Sequence, residues 1–460
     1  MGSFWGSDVW GNINLVGILL LSLLVANALK NIIKILKASL IPTSVLAGIL
    51  LLVFAGIYDL ISGDVLFETQ FFNYNGYNNL ETLTYHTLAL GFIASTLKSS
   101  KSKFTKQRTT EIFNTGVTTV STYLIQGVFG LAITIVAALI IKNFFPAAGL
   151  LLPFGYGQGS GQALNYGTIY ETEFGFDGGK SFGLTIAALG FLSASIGGVF
   201  YLNLLKRKNG VSVKAEKTNE GIAERIEGKN EIPMQGSIDK ITIQVCFVFA
   251  AYLLTYLLMR FLGNLLPGMR SVIYGFNFLL GVLSATAVKF VLNFLKKRRL
   301  IKREYINDFL MTRISNLFFD IMVVAGIAAI RLGILGKYWG IMTILGVVGL
   351  VITYVYNYFV AKKLFAAYSE EQFLMMYGML TGTASTGTIL LREVDGDFKT
   401  PAADNMVYQN FPAIVFGFPV MLLATLAPQK PILTLIILIV YFILLNILLF
   451  RNTIFKRKKT

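Results

Sequence analysis

Two short segments concentrate the groups that could do chemistry. One is Phe154-Gly155-Tyr156-Gly157-Gln158-Gly159-Ser160-Gly161-Gln162-Ala163-Leu164-Asn165, and the other is Tyr377-Gly378-Met379-Leu380-Thr381-Gly382-Thr383-Ala384-Ser385-Thr386-Gly387-Thr388. Glycine inside a helix costs roughly 1 kcal/mol relative to alanine, so this density argues for deliberate interruptions. An interrupted helix frees backbone groups. N–H groups at a half-helix N-terminus attract a carboxylate, while freed carbonyls and the hydroxyls of Ser160, Thr381, Thr383, Ser385, Thr386 and Thr388 suit a partly dehydrated sodium ion. Neither segment carries an acidic side chain, which favours sodium over a proton as coupling ion. The plain alternative is that both are small-residue packing faces between ordinary helices. Their occurrence as a pair in mirrored positions favours a site.

Other candidates stand alone. Asp320 lies about 12 residues into an apolar run, roughly 17 Å deep, with Asn316 one turn away on the same face. Such a carboxylate is a functional candidate, here for sodium, with a hydrogen-bonded structural role as the equal alternative. Arg392, before Glu393, Asp395 and Asp397, has the chemistry to clamp a substrate carboxylate; an interfacial ion-pair cluster is the preferred reading. Asn410, Phe411 and Pro412 predict a kink that leaves a spare amide for substrate, while nothing indicates which way Tyr408 and Gln409 face. His86 reads as interfacial. One cysteine, Cys246, and one histidine exclude a disulfide framework, an iron-sulfur site and a His-rich metal cluster. No nucleophile has a base, so an enzyme is not expected, and no cofactor beyond sodium as coupling ion.

These residues need elements to hold them. Of 460 residues, 55% are apolar and 14% charged, with a mean hydropathy of +0.65, outside the range of a water-soluble protein. The chain reads as an all-α polytopic membrane protein. Runs long enough to span, about 20 residues each, lie near 13–29, 40–62, 83–98, 115–142, 181–204, 240–265, 271–292, 309–332, 338–361, 403–427 and 431–450, or about 11 helices. The two interrupted segments, near 147–170 and 372–392, are too polar to span and predict re-entrant hairpins, because an opened backbone survives in a bilayer only inside protein or facing a water-filled cavity. Residues 1–12 carry no Lys or Arg, so the first run is expected to be retained rather than cleaved as a signal.

The net charge of +16 records topology. Lys and Arg gather in alternate connections, namely 30–37, 98–108, 206–240, 296–303, 362–363 and the tail after 451, whereas none occurs between Lys37 and Lys98. The positive-inside rule then puts the N-terminus outside and the C-terminus in the cytoplasm, across a plasma (inner) membrane. Trp5, Trp10 and Trp339 fall at the outer interface. The lipid bilayer, and not nucleic acid, is the partner of this charge. Residues 206–239 read as a flexible cytoplasmic linker, and the aromatic loop 67–81 as a small outer hairpin.

The chain also repeats itself. Gly127-Val128-Phe129-Gly130-Leu131-Ala132-Ile133-Thr134-Ile135-Val136 matches Gly346-Val347-Val348-Gly349-Leu350-Val351-Ile352-Thr353-Tyr354-Val355 in seven of ten positions, and each copy precedes an interrupted segment. By the charge argument the copies run in opposite directions, as in the inverted repeats of secondary transporters. The expected units are a first repeat (1–205), the linker, a second repeat (240–428), and an added span with a basic tail (429–460).

Gly157-Gln158-Gly159-Ser160-Gly161-Gln162-Ala163, with Glu171, Phe174-Gly175-Phe176 and Gly197-Gly198 after it, resembles the sodium/glutamate symporter family, as do Thr383 to Thr388, Leu390-Leu391-Arg392 and Val394-Asp395. The resemblance covers both halves outside the linker. It implies two inverted repeats of five spans with re-entrant hairpins, a core moving against a dimerising scaffold, a homodimer, and sodium-driven uptake of a small carboxylate by an elevator-like motion. Taken with the residue arguments above, Gly157, Gln158, Gly159, Ser160, Gly161, Gln162, Asn165, Thr383, Ser385, Thr386, Arg392 and Asn410 are expected at the substrate, and Ser160, Thr381, Gly382, Thr383, Thr388, Asn316 and Asp320 at sodium. Gln158 and Ser160 stand where the family commonly has His and Thr; glutamine keeps a donor and an acceptor but cannot titrate. A citrate-like dicarboxylate or 2-hydroxycarboxylate carrier is the alternative. A membrane enzyme on a lipid-linked substrate, with metal on Asp395 and Asp397, and a channel come further behind.

Overall fold

The computed structural model describes residues 4–98, 105–209, 231, 238–396 and 399–454. The described chain is helical throughout, without a strand. In order, the main helices are α1 (Ser7–Ile32), α2 (Thr43–Ser62), α3 (Gly76–Leu97), α4 (Lys106–Ile140), α5 (Leu151–Phe174), α6 (Gly179–Asn209), α7 (Lys240–Leu265), α8 (Asn277–Lys297), α9 (Asp308–Ala328), α10 (Leu332–Leu364), α11 (Ser369–Thr381), α12 (Ala384–Arg392), α13 (Ala402–Tyr408), α14 (Asn410–Leu426) and α15 (Pro431–Leu449).

Nine helices among the described residues are long and apolar enough to cross a membrane, and α13 with α14, bent by 51° at Gln409, gives a tenth candidate. Their outward faces carry residues such as Leu24, Leu139, Leu254 and Phe290, all exposed. A continuous apolar surface of this extent requires hydrocarbon around it, so the protein is membrane-embedded. The expected span at 83–98 is part of α3, which does not reach the apolarity of the others. Asn78, Asn79, Glu81, Thr84 and Tyr85 crowd its first half. The helix lies against α8 and α9, with Leu80, Leu88, Ile93 and Leu97 buried, and so needs less apolar surface of its own. The 51° bend fulfils the kink expected around Asn410.

Contacts sort the helices into two groups. Helices α1, α2, α3, α7, α8 and α9 pack mainly among themselves; α4, α5, α6 and α10 to α14 form the second group, with α15 laid along α4. In each half the chain passes through three helices, then a long one, a folded-back helical pair and a closing helix. Glu81 on α3 ties the groups together through Lys180 Nζ at 2.9 Å and Arg331 Nη2 at 3.2 Å. Inside the second group, α4 buries Thr115, Thr118, Thr119 and Thr122. Each hydroxyl donates to the carbonyl four residues earlier, which satisfies it without water. Most of the expected 206–239 linker, Asp397 and the tail beyond 454 lie outside the described residues.

Candidate functional site

Residues twelve apart on a straight helix stand about 18 Å apart. On α5 the rings of Phe154 and Tyr166 instead stack with centroids 3.9 Å apart and planes 6° from parallel. Further from the turn, Phe145 packs against Tyr170 at 5.2 Å and Phe176 at 4.8 Å. The chain therefore folds back on itself as a hairpin. Its turn is Gly159, with φ 79° and ψ −174°, a conformation essentially confined to glycine.

The second hairpin is α11 and α12, turned at Gly382 and Thr383. Its arms approach so closely that a Cβ on Gly378 would lie 2.8 Å from Gly387 Cα, and one on Gly387 would lie 2.6 Å from Met375 O. Thr383 caps α12, its Oγ1 accepting from Thr386 N at 3.4 Å.

The two hairpins start from opposite ends of α10. At its beginning, Tyr338 packs on Phe176 of the first hairpin base, 5.6 Å between centroids. At its far end, Lys362 pairs with Glu370 and donates to Ser369 Oγ at the base of the second. The tips meet between. A Cβ on Gly159 would lie 3.7 Å from Thr383 Cγ2 and 3.8 Å from Gly382 O. Helix α4 holds both tips: Tyr123 OH donates to Gly157 O at 3.1 Å, and Gln126 Nε2 donates to Leu380 O at 3.0 Å and Thr353 Oγ1 at 2.8 Å.

Beside the tips lies a cavity of about 220 Å³. That is room for several water molecules. One wall belongs to the first helix group and is mainly apolar, with Leu88, Phe92, Phe278, Leu279, Val282 and Phe319 beside Ser95 and Thr96. The other wall is the hairpin tips and the α13–α14 elbow. Among the described residues no charged side chain lines the cavity.

The expected residues distribute unevenly. Gly157, Gln158, Gln162, Gly382, Thr383, Ser385 and Asn410 line the cavity. Asn165 stands behind them, donating to Gln162 Oε1 at 2.6 Å and Gly275 O at 3.1 Å. Ser160 is fully buried, its hydroxyl donating to Met322 O at 3.4 Å, and Gly161 packs against Leu88. Thr381 and Thr388 donate within their helices to Tyr377 O and Ala384 O, at 2.6 and 2.9 Å. Thr386 is buried behind its capping bond. Arg392 is exposed at the far end of α12, about 12 Å along the axis from its start. Asp320 lies beside Ser44 of α2 and Asn316 is exposed on α9; neither lines the cavity. Sequence reasoning missed Tyr123, Gln126 and the inward facing of Gln409.

Asp395 forms the turn after α12. Its Oδ1 accepts from Lys399 N at 2.8 Å, and its Oδ2 from Thr400 N at 2.8 Å and Thr400 Oγ1 at 2.6 Å. Burial pushes its carboxyl up, but the Thr400 and Lys399 bonds and the Lys399 charge outweigh this and hold it below the usual carboxylate range. Among the described residues no three His, Cys, Asp or Glu side chains gather as a metal site. No family model matches the chain, and no curated protein does.

Proposed function

We propose that the protein is a secondary active transporter, a sodium-coupled symporter for glutamate or a similar small carboxylate. The observation that carries this reading is the meeting of two hairpin tips, reached from opposite ends of α10, beside an uncharged cavity between two helix groups. In the bilayer we read both hairpins as re-entrant, and the twice-used order of elements supports reading each half, 1–205 and 240–428, as an inverted repeat of five spans. α3 is then the eleventh span, buried enough to tolerate its polar face. The N-terminus is outside, the C-terminus is cytoplasmic in the plasma membrane, and α15 is an addition to a ten-span plan.

The substrate carboxylates meet the N–H groups that begin the helical arms at Ser160 and Ala384, where backbone dipoles supply positive charge that no side chain does. Thr383 and the opened carbonyl at Gly382 suit sodium. Most of the polar lining belongs to the second helix group, whereas the wall it faces is mainly apolar, with Ser95 and Thr96 as its polar residues. That division suits an elevator-like motion in which the second group carries the cavity along a scaffold, and the scaffold pairs in a homodimer. The resemblance of both hairpins to the sodium/glutamate symporter family supports the same reading.

Ligand-induced stabilisation tests it. Glutamate is expected to raise the melting temperature of the purified protein in sodium but not in choline, because binding to the folded state alone stabilises by mass action. No shift with glutamate or other small carboxylates, or equal shifts in both salts, would sink the proposal.

A further inference from the structure

Helix α8 closes on a turn in which Arg298 N donates to Phe294 O, Arg299 N to Lys296 O and Leu300 N to Leu295 O, each at 3.0 Å. Bonds in this pattern make a Schellman cap, whose left-handed position is usually filled by glycine. Here Arg299 fills it, at φ 59°, a strained conformation for any residue with a side chain. The residue after it normally packs back on the helix, yet Leu300 is 71% exposed. Lys296, Lys297, Arg298, Arg299, Lys302 and Arg303 are all exposed around the same turn. Glu304 pairs with Lys296 Nζ at 2.7 Å. Among the described residues Lys297, Arg298, Arg299 and Arg303 have no carboxylate partner. Arg298 instead lies over the Phe294 ring, 5.4 Å from its centroid, which holds the guanidinium at the helix end. Leu283, Ala287, Phe290 and Phe294 form an exposed stripe along α8 that leads to Arg298, a rise of about 22 Å from Leu283. The positive-inside rule accounts for basic residues in this connection, but not for a strained arginine and an exposed leucine among them.

We propose that the end of α8 binds an anionic phospholipid of the adjoining membrane leaflet. Its phosphate is held by Arg298 and Arg299 with Lys297 and Arg303 beside them, its acyl chains lie along the apolar stripe, and Leu300 inserts next to them. Charge complementarity selects this occupant. Guanidinium groups meet phosphate oxygens in bidentate geometry, and each cation of a cluster at the end of a membrane helix raises the affinity for anionic lipid about fivefold. A zwitterionic headgroup brings its own ammonium against the cluster and loses that gain. The site lies on the first helix group, outside the cavity, so the inference stands apart from what the protein carries.

The test is thermal melting of the full-length protein in detergent, with added phosphatidylglycerol or with phosphatidylcholine of the same acyl chains. Phosphatidylglycerol is expected to raise the melting temperature in a saturable way, since a ligand of the folded state stabilises by mass action, and phosphatidylcholine is not. Lys297→Gln, Arg298→Gln, Arg299→Gln and Arg303→Gln together should remove that shift. Lys456→Gln, Arg457→Gln, Lys458→Gln and Lys459→Gln, which take as much charge from the tail, should leave it. Arg299→Gly suits the left-handed position, so without lipid it should melt no lower than the wild type, yet need about fivefold more phosphatidylglycerol for the half-maximal shift. Lipid-free melts report whether each variant is folded, and if the quadruple α8 variant is not, Arg299→Gly decides. Equal shifts with both lipids, an unchanged shift in the α8 variants, an equal loss in the tail variant, or the same shift with inorganic phosphate alone would overturn the proposal.

Discussion

At the scale of single residues, glycine density marks both interruptions in the sequence, because glycine is costly in a helix and must be retained for a reason. Side-chain direction is less legible. Ser160 and Ser385 read alike as hydroxyls in a broken segment, but Ser385 lines the cavity and Ser160 turns back to Met322 O. Gln409 escaped notice because a lone glutamine beside an apolar run carries no sign of its neighbours. Gly159 shows what the tip requires. Gly159→Ala places a side chain at φ 79° and should cost about 1–3 kcal/mol and abolish glutamate binding. Gly63→Ala, at φ 76° with open space around it, is the matching control; it should lower the melting temperature and leave binding intact. Wild-type binding in Gly159→Ala would mean the tip geometry is incidental.

At the scale of elements, the middles of the spans are legible in the sequence, since apolar length and loop charge are local properties, but their ends are not: the run near 115–142 belongs to a helix that starts at Lys106, and the run near 83–98 to one that starts at Gly76. Which helices touch is not local. Asp320 could be placed at mid-depth in α9 from spacing alone, whereas its neighbour Ser44 sits on α2, far away in sequence. Arg392 similarly ends the right helix at the wrong height for the cavity. The turn that follows it depends on Asp395, whose folded-state pKa is depressed. Its stabilisation is full above the unfolded value of about 3.9 and is lost as pH falls through the lower folded value. Asp395→Asn should therefore cost about 1–2 kcal/mol at neutral pH, with the gap to wild type closing in acid, as thermal melts at pH 7 and pH 3 would record. A gap that stayed constant with pH would remove the carboxylate from the account.

At the scale of the whole molecule, a basic excess read as topology and two broken segments read as a site converge on one place, a small uncharged cavity where two helix groups meet. The grouping itself was not legible, because it depends on packing between distant segments. Glu81, with Lys180 and Arg331, spans the two groups at one end of the protein, so the contact has to open if the groups slide past each other. Transport is the claim on which the rest depends. The direct measurement is uptake of labelled glutamate by the purified protein in liposomes under an imposed inward sodium gradient. The account predicts concentrative uptake that collapses when sodium is equal on both sides or replaced by choline; absence of uptake, or uptake indifferent to sodium, would contradict it.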